Sequence, residues 1–323
     1  MSSVSRFGCQ PGDKRTLWAY DASMFFPVAG IDASPFLPPL AAFAVSLLTG
    51  LGGVSGAFLL LPFQVSVLGC VNPSASSTNQ VFNIIATPGA VWRYFREGRL
   101  FAPLARLIVL GSLPGTALGA FIRLRWLADP VRFKSFAALV LLFLALRMGA
   151  GILRPKRSEK APGSARPARL PGRDGQVRFL FQDREYAYAP LPLLLLTVLI
   201  GVVGGIYGVG GGALLAPLLV SVYGLPVHVT AGPTLLGTLA ASAGGVLAYT
   251  LMAPLYPRLG ASPDWSLGLL FGAGGLAGMY LAARLQRYLP ARPIQILLAL
   301  IVLGTAALWL APGLKRALPC PTF

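Results

Sequence analysis

The chain has 323 residues, 55% of them hydrophobic and only 11% charged, less than half the ~25% of an average soluble domain. The formal net charge is +17, from 27 Lys and Arg against 10 Asp and Glu. So few charges cannot cover a soluble surface of this size, the hydrophobicity excludes a disordered chain, and Cys9, Cys70 and Cys320 at unrelated spacings make no disulfide scaffold.

Residues 1–36 are polar and then mixed. They lack the basic segment leading into an apolar core that marks a signal peptide. No charged residue lies between Asp32 and Arg93, a gap that holds two spans of about 20 residues, near 38–61 and 74–92. Further charge-free runs place spans near 103–123 and 133–153, completing a first membrane repeat over 37–153. Residues 154–189 form a linker rich in Pro, Gly, Arg and Lys, read as solvated and basic. A second repeat over 190–312 carries spans near 190–219, 228–251, 265–285 and 293–312, and 313–323 is a C-terminal tail. The expected fold is an all-α polytopic membrane protein. It has about eight transmembrane helices in two similar four-helix halves, with Gly-rich broken or re-entrant segments.

With eight spans, both termini and the linker share one side, which holds 20 of the 27 basic residues and is therefore expected to be cytoplasmic. If each half crossed five times the repeats would be inverted, and the split would be 17 to 10. The positive charge then faces anionic lipid at the cytoplasmic face of the cell (inner) membrane and is no nucleic-acid footprint.

Residues 50–69 laid over 205–224 match at eleven of twenty positions, including Gly53/Gly208, Gly56/Gly211, Pro62/Pro217, Ser66/Ser221 and Gly69/Gly224. Glycines in a span serve close helix packing or an unwound backbone that lines a cavity. Repetition in both halves, followed six residues later by Pro, favours unwound backbone at Gly53, Ser55 and Gly56 and at Gly210, Gly211 and Gly212. Downstream of each strip a new helix begins, with Asn72 as N-cap and Pro73 at its first position in one half and Pro226-Val227-His228 in the other. Helix starts favour anions, and Ser76, Ser77, Thr78, Asn79 and Asn83, with Thr230 and Thr234, add neutral donors. Asn79 and Asn83 share a helix face. The competing role for these hydroxyls is bonding within their own helix or between helices.

The duplicated Gly motifs, and the stretch NPSASSTNQVFNIIATPGAVWRYFREGRL at 72–100, resemble the TauE/SafE sulfite exporter family of membrane permeases, in particular its 4-toluene sulfonate uptake permease group. The likeness covers about 40–153 and 190–311. It implies transport of a small sulfur-containing anion of the sulfite, sulfonate or sulfoacetate type. It also implies a site at the two Gly motifs, Pro62, Pro217 and the helix starts at 76–79 and 231–234. Ala231-Gly232-Pro233-Thr234 departs from the Thr-Ser pair frequent in that family, which breaks the symmetry of a two-half site.

All ten carboxylates fall outside the expected spans, so no membrane acid offers itself for proton or sodium coupling. His228, the sole His, sits at a span end as a candidate protonation switch. Arg93, Arg96 and Arg99 sit at the end of the second span, where anchoring at the interface is the favoured role and anion recruitment the alternative. With one His, no Cys/His cluster and no central acid, no metal, cofactor or enzymatic activity is expected. The expected function is a permease, most simply an exporter. The alternatives are a channel of the same fold and a non-transporting scaffold subunit.

Overall fold

The computed structural model describes residues 23–52, 55–153, 167–173, 175–285, 288 and 291–310. A hairpin of β1 (Met24–Phe26) and β2 (Ile31–Ala33) precedes α1 (Leu37–Gly52), α2 (Ala57–Ser66), α3 (Ser74–Ala86), α4 (Pro88–Arg96), α5 (Ala102–Arg125) and α6 (Pro130–Leu153). After β3 (Ala168–Arg173), β4 (Gln176–Phe181) and β5 (Arg184–Tyr188) come α7 (Pro190–Tyr207), α8 (Gly211–Ser221), α9 (Val227–Met252), α10 (Trp265–Leu285) and α11 (Ala291–Leu310). Six of the described helices, α5, α6, α7, α9, α10 and α11, are long and apolar enough to cross a membrane.

Three expected spans are each broken in two. Residues 38–61 are α1 and α2, and 190–219 are α7 and α8. The second break follows from Gly208 and Gly210, whose φ of +85° and +73° is backbone that L side chains rarely adopt. Residues 74–92 divide at Thr87-Pro88, where Pro starts α4 without the N–H that would continue α3. No residue of α4 is buried.

The linker is also more ordered than its composition suggests. Strands β3, β4 and β5 form an antiparallel sheet in that order, with two left-handed residues, Gln182 and Asp183, closing the β4–β5 turn. Alternation in β4 turns Val177, Phe179 and Phe181 to one face, and Phe179 and Phe181 are buried. Within the expected linker, 154–166 and Asp174 lie outside the described residues, as do 1–22 and the tail 313–323.

Two close helix pairs organise the bundle. In one, a Cβ on Gly274 would overlap the Pro39 carbonyl and one on Gly278 the Phe43 carbonyl, so α1 and α10 run the same way. In the other, Gly115 abuts Val198 and Gly119 abuts Val202, so α5 and α7 also run the same way. Small residues allow this backbone-to-backbone approach.

Hydrogen bonds identify what gathers at each end. At one end Asp264 Oδ2 accepts from Val28 N and Ala29 N at 3.3 Å, and Asn72 Nδ2 donates to Val28 O at 2.9 Å. There too Ser77 Oγ donates to Ala261 O, Arg123 Nη2 to Val71 O, and Trp309 Nε1 to Ser66 Oγ. At the other end Phe101 packs on Phe179 with ring centroids 4.9 Å apart, and Arg99 Nη2 lies 2.8 Å from His228 Nδ1. The first end thus holds the β1–β2 hairpin and the starts of α3 and α10. The second holds the linker sheet and the starts of α5, α7 and α9. The linker sheet and the N-terminal hairpin occupy opposite ends of the bundle, where one shared side was expected. The difference arises because α1 and α2, and likewise α7 and α8, fold back as hairpins instead of forming single spans.

Candidate functional site

The first ten residues of α3, Ser74 to Asn83, are all buried, although seven of them are polar. In a bilayer such groups need partners, and most find them on backbone carbonyls. Ser76 Oγ donates to Ile206 O at 2.8 Å, at the end of α7. Ser77 is bonded to Ala261 O and Ser74 O, and Thr78 Oγ1 accepts from Asp264 N at 2.9 Å, so both fasten the α9–α10 connection. Asn79 Nδ2 donates to Ala57 O at 2.8 Å in the first turn of α2. Asn83 Nδ2 donates to Val209 O at 3.0 Å, in the break between α7 and α8.

The two Gly-rich breaks, far apart in sequence, therefore meet one face of α3. Tyr207 Oη reaches across them to Phe58 O at 2.7 Å. Gly56 is the N-cap of α2 and Gly210 of α8, and neither helix carries a side-chain cap bond to its first turn from that residue. Ser55 is part-exposed, and its Oγ accepts from Ala57 N at 3.4 Å. Gly211 opens α8, and Gly212 lies so close to α9 that a Cβ would overlap the Thr234 carbonyl. Gly53 lies outside the described residues.

Several fully buried polar atoms have no partner: Ser46 Oγ, Asn79 Oδ1, Gln80 Oε1 and Nε2 and Ser242 Oγ around the breaks, and Gln64 Oε1 and Nε2 in the last turn of α2. Ser46 Oγ would stand 3.0 Å from a Cβ on Gly56, and Ser242 Oγ 2.9 Å from a Cβ on Gly210. Each of the two short helices thus has an unpaired buried serine at its N-terminus. Ser46, Gln64, Gln80 and Ser242 escaped sequence reasoning. Gln80 adjoins the polar run and could have been included, whereas Ser46 and Ser242 are single hydroxyls in apolar helices with no local signal.

Other expected site residues serve elsewhere. Thr230 Oγ1 donates to Pro226 O and Thr234 Oγ1 to Thr230 O at 2.9 Å, so both are bonded within α9. Asn72 does not cap α3 through its side chain: its amide holds the N-terminal hairpin and its Oδ1 accepts from Ser74 Oγ at 2.8 Å. Arg93 and Arg99 both bond Glu97 at 2.8 Å, and this holds the Glu97 carboxyl below its usual range. Arg96 lies over Trp92 and Arg99 over Tyr94. This group and His228 stand at the linker-sheet end, apart from the breaks.

Two cations lie inside expected spans. Arg123 is fully buried over the Phe133 ring at 3.7 Å, bonded to the Leu127 and Val71 carbonyls. Arg147 donates from Nη2 to Pro217 O at 2.8 Å, tying α6 to α8. Chemically, the region between the breaks offers helix N-termini and neutral amides and hydroxyls.

The family profile described as Sulfite exporter TauE/SafE matches residues 39–308. A probable membrane transporter protein, YjnA, of Bacillus subtilis (strain 168) is 25% identical over 275 residues, covering 80% of this chain and 93% of its own length. A probable membrane transporter protein of Xylella fastidiosa (strain 9a5c) is 26% identical over 244 residues, 72% of this chain and 78% of its own. No solved structure matches. The broken apolar helices, the six long spans and the profile together identify a multi-pass membrane transporter, and the chain belongs to the TauE/SafE sulfite exporter family.

Proposed function

We propose that this transporter moves a small sulfur-containing anion of the sulfite, sulfonate or sulfoacetate type outward across the cell membrane. The observation that carries the reading is the convergence of both broken hairpins on Asn79 and Asn83. Helix N-termini aimed into a water-poor interior favour an anion, and neutral donors hold it without the trapping strength of a buried Arg.

In this reading the halves are inverted repeats. Elements α1, α2, α3–α4, α5 and α6 correspond to α7, α8, α9, α10 and α11. The exchange of partners supports it, since α1 packs on α10 while its counterpart α7 packs on α5. The linker-sheet end is cytoplasmic, because that arrangement puts 17 of the 27 basic residues there. With the cytoplasm negative, each outgoing negative charge gains about 2.3 kcal/mol per 100 mV, so export needs no coupling acid.

The test is flux in proteoliposomes under an imposed potential, with labelled sulfite, thiosulfate and alkanesulfonates. Saturable flux that follows the potential supports the reading. Absence of flux with every one of these anions sinks it.

A further inference from the structure

Resting on that reading, we infer that the substrate is bound as a monoanion, in a subsite formed by Gln80, Ser242 and the N-terminus of α8, and that divalent anions are rejected there. Three observations converge. The eleven-residue helix α8 begins at Gly211 after a left-handed Gly210, with no side chain capping its first N–H groups. Ser242 is 0% exposed, its Oγ has no partner, and it faces Gly210. Gln80 is 0% exposed with both amide atoms unpaired, and it lies against Gly245, one turn beyond Ser242 on α9.

Buried amides and hydroxyls of this kind are normally satisfied, so three unpaired polar atoms beside a helix N-terminus mark groups awaiting a ligand. Gln80 Nε2 and Ser242 Oγ supply donors, and α8 supplies its dipole. Gly210 and Gly212 let the start of α8 pack directly on α9, and Gly245 lets Gln80 do the same, since a Cβ at any of them would overlap Ser242, Thr234 or Gln80. The gap is closed in this conformation, and the anion enters when the α7–α8 hairpin draws back from α9. Asn83, which grips Val209, is the hydrogen bond that such a movement breaks.

Charge selection follows from what surrounds the subsite. Among the described buried polar residues only Arg123 and Asp264 are ionisable, and the part-buried Arg147 bonds α8 at Pro217, six residues beyond Gly211. Arg123 and Asp264 stand at the N-terminal-hairpin end with their bonds made to Val71, Leu127, Val28 and Ala29. The subsite itself is neutral. The cost of dehydrating an ion rises with the square of its charge, whereas one helix N-terminus offers only about half a positive charge and the neutral donors add no net charge. A sulfonate or hydrogensulfite fits this balance, whereas sulfate, the sulfite dianion and sulfoacetate, itself a dianion at neutral pH, do not, so the subsite narrows the substrate class proposed above.

The experiment is calorimetric binding of methanesulfonate and of sulfate to purified protein, with Gln80→Leu and Ser242→Ala. Ser242→Ala is small enough to preserve the fold, and a wild-type melting profile checks it. Methanesulfonate binding at least tenfold tighter than sulfate, weakened at least tenfold in each variant, supports the inference. Wild-type affinity in both variants overturns the subsite, and sulfate binding as tight as methanesulfonate overturns the charge selection, while transport itself stands in both cases. Failure of the wild type to bind methanesulfonate overturns the inference whether or not sulfite flux survives; absence of flux with sulfite, thiosulfate and alkanesulfonates alike removes the transport reading beneath it. In flux assays, sulfite transport is expected to fall as rising pH converts hydrogensulfite to the dianion, with methanesulfonate flux unchanged.

Discussion

Asn79 and Asn83, one turn apart on α3, hold two different hairpins: Asn79 donates to Ala57 of the first at 2.8 Å, and Asn83 to Val209 of the second at 3.0 Å. A single helical turn thereby sets the distance between the two Gly-rich breaks. Replacing either Asn by Leu leaves a buried carbonyl short of a partner, at a cost of about 1–3 kcal/mol. We expect each variant to insert normally, to melt several degrees lower and to lose transport at least tenfold. Fluorescence-monitored melting with proteoliposome flux checks this; wild-type flux in both variants would remove α3 from the site.

The glycines divide into those the fold requires and those it does not. Gly208 has φ +85° and abuts the Ser76 carbonyl. Gly208→Ala should cost more than about 2 kcal/mol, from left-handed backbone plus overlap, and abolish flux. Gly304 in α11 has nothing within 4 Å of a Cβ. Gly304→Ala should be neutral or stabilise by up to about 1 kcal/mol. Equal melting shifts for the two would contradict this division.

Hydropathy made the six long helices legible, because a charge-free run of about 20 residues is a local signal. The repeat of Gly53-Val54-Ser55-Gly56 at Gly208-Val209-Gly210-Gly211 was equally visible, and so was the polar face of Asn79 and Asn83. What escaped is set by pairing. Whether Gly-rich backbone interrupts a span or turns it back depends on the helix it meets, here α3 against Gly208 and Val209. The β4 strand was written in the alternation of Val177, Phe179 and Phe181, but the Arg and Pro around it dominated the composition. Ser46 and Ser242 have meaning only through Gly56 and Gly210, which no sequence spacing connects.

Cys70 offers a probe of the packed end. It is 0% exposed, and burial pushes its thiol up to about 11, outweighing the bond to Ser74. At pH 8 only about one molecule in a thousand would carry the thiolate that reacts. With Cys9 and Cys320 replaced by Ser, maleimide should leave native protein unlabelled for hours and label it fully in SDS. Rapid labelling of the native protein would show that the junction of α2 and α3 opens.

Glu97 gives a pH signature. Its bonds to Arg93 and Arg99 lower its folded pKa, so its stabilisation is present above the ordinary carboxylate range and lost as pH falls through the depressed value. Glu97→Gln should therefore lower the melting temperature slightly at pH 7 and leave it unchanged at strongly acid pH. The effect is small because the group is substantially exposed. A difference that persists unchanged into acid would assign Glu97 a role other than these ion pairs.

Sidedness separates the folded-back hairpins from simple spans. Eight spans would put the N-terminus and the linker on one side of the membrane. The bonds of Asn72 and Asp264 to the hairpin at 24–33, against the packing of Phe101 on Phe179 at the linker sheet, place that hairpin and the sheet at opposite ends of the bundle. A reporter fused at the N-terminus and another inserted after Ser164 should therefore give opposite compartments, with the linker reporter cytoplasmic. The direction rests on the larger share of basic residues at the linker end, and the opposition rests on the hairpins alone. Both reporters in one compartment would restore eight spans. Opposite compartments with the linker outside would keep the fold and reverse the direction in which the negative membrane potential drives the anion.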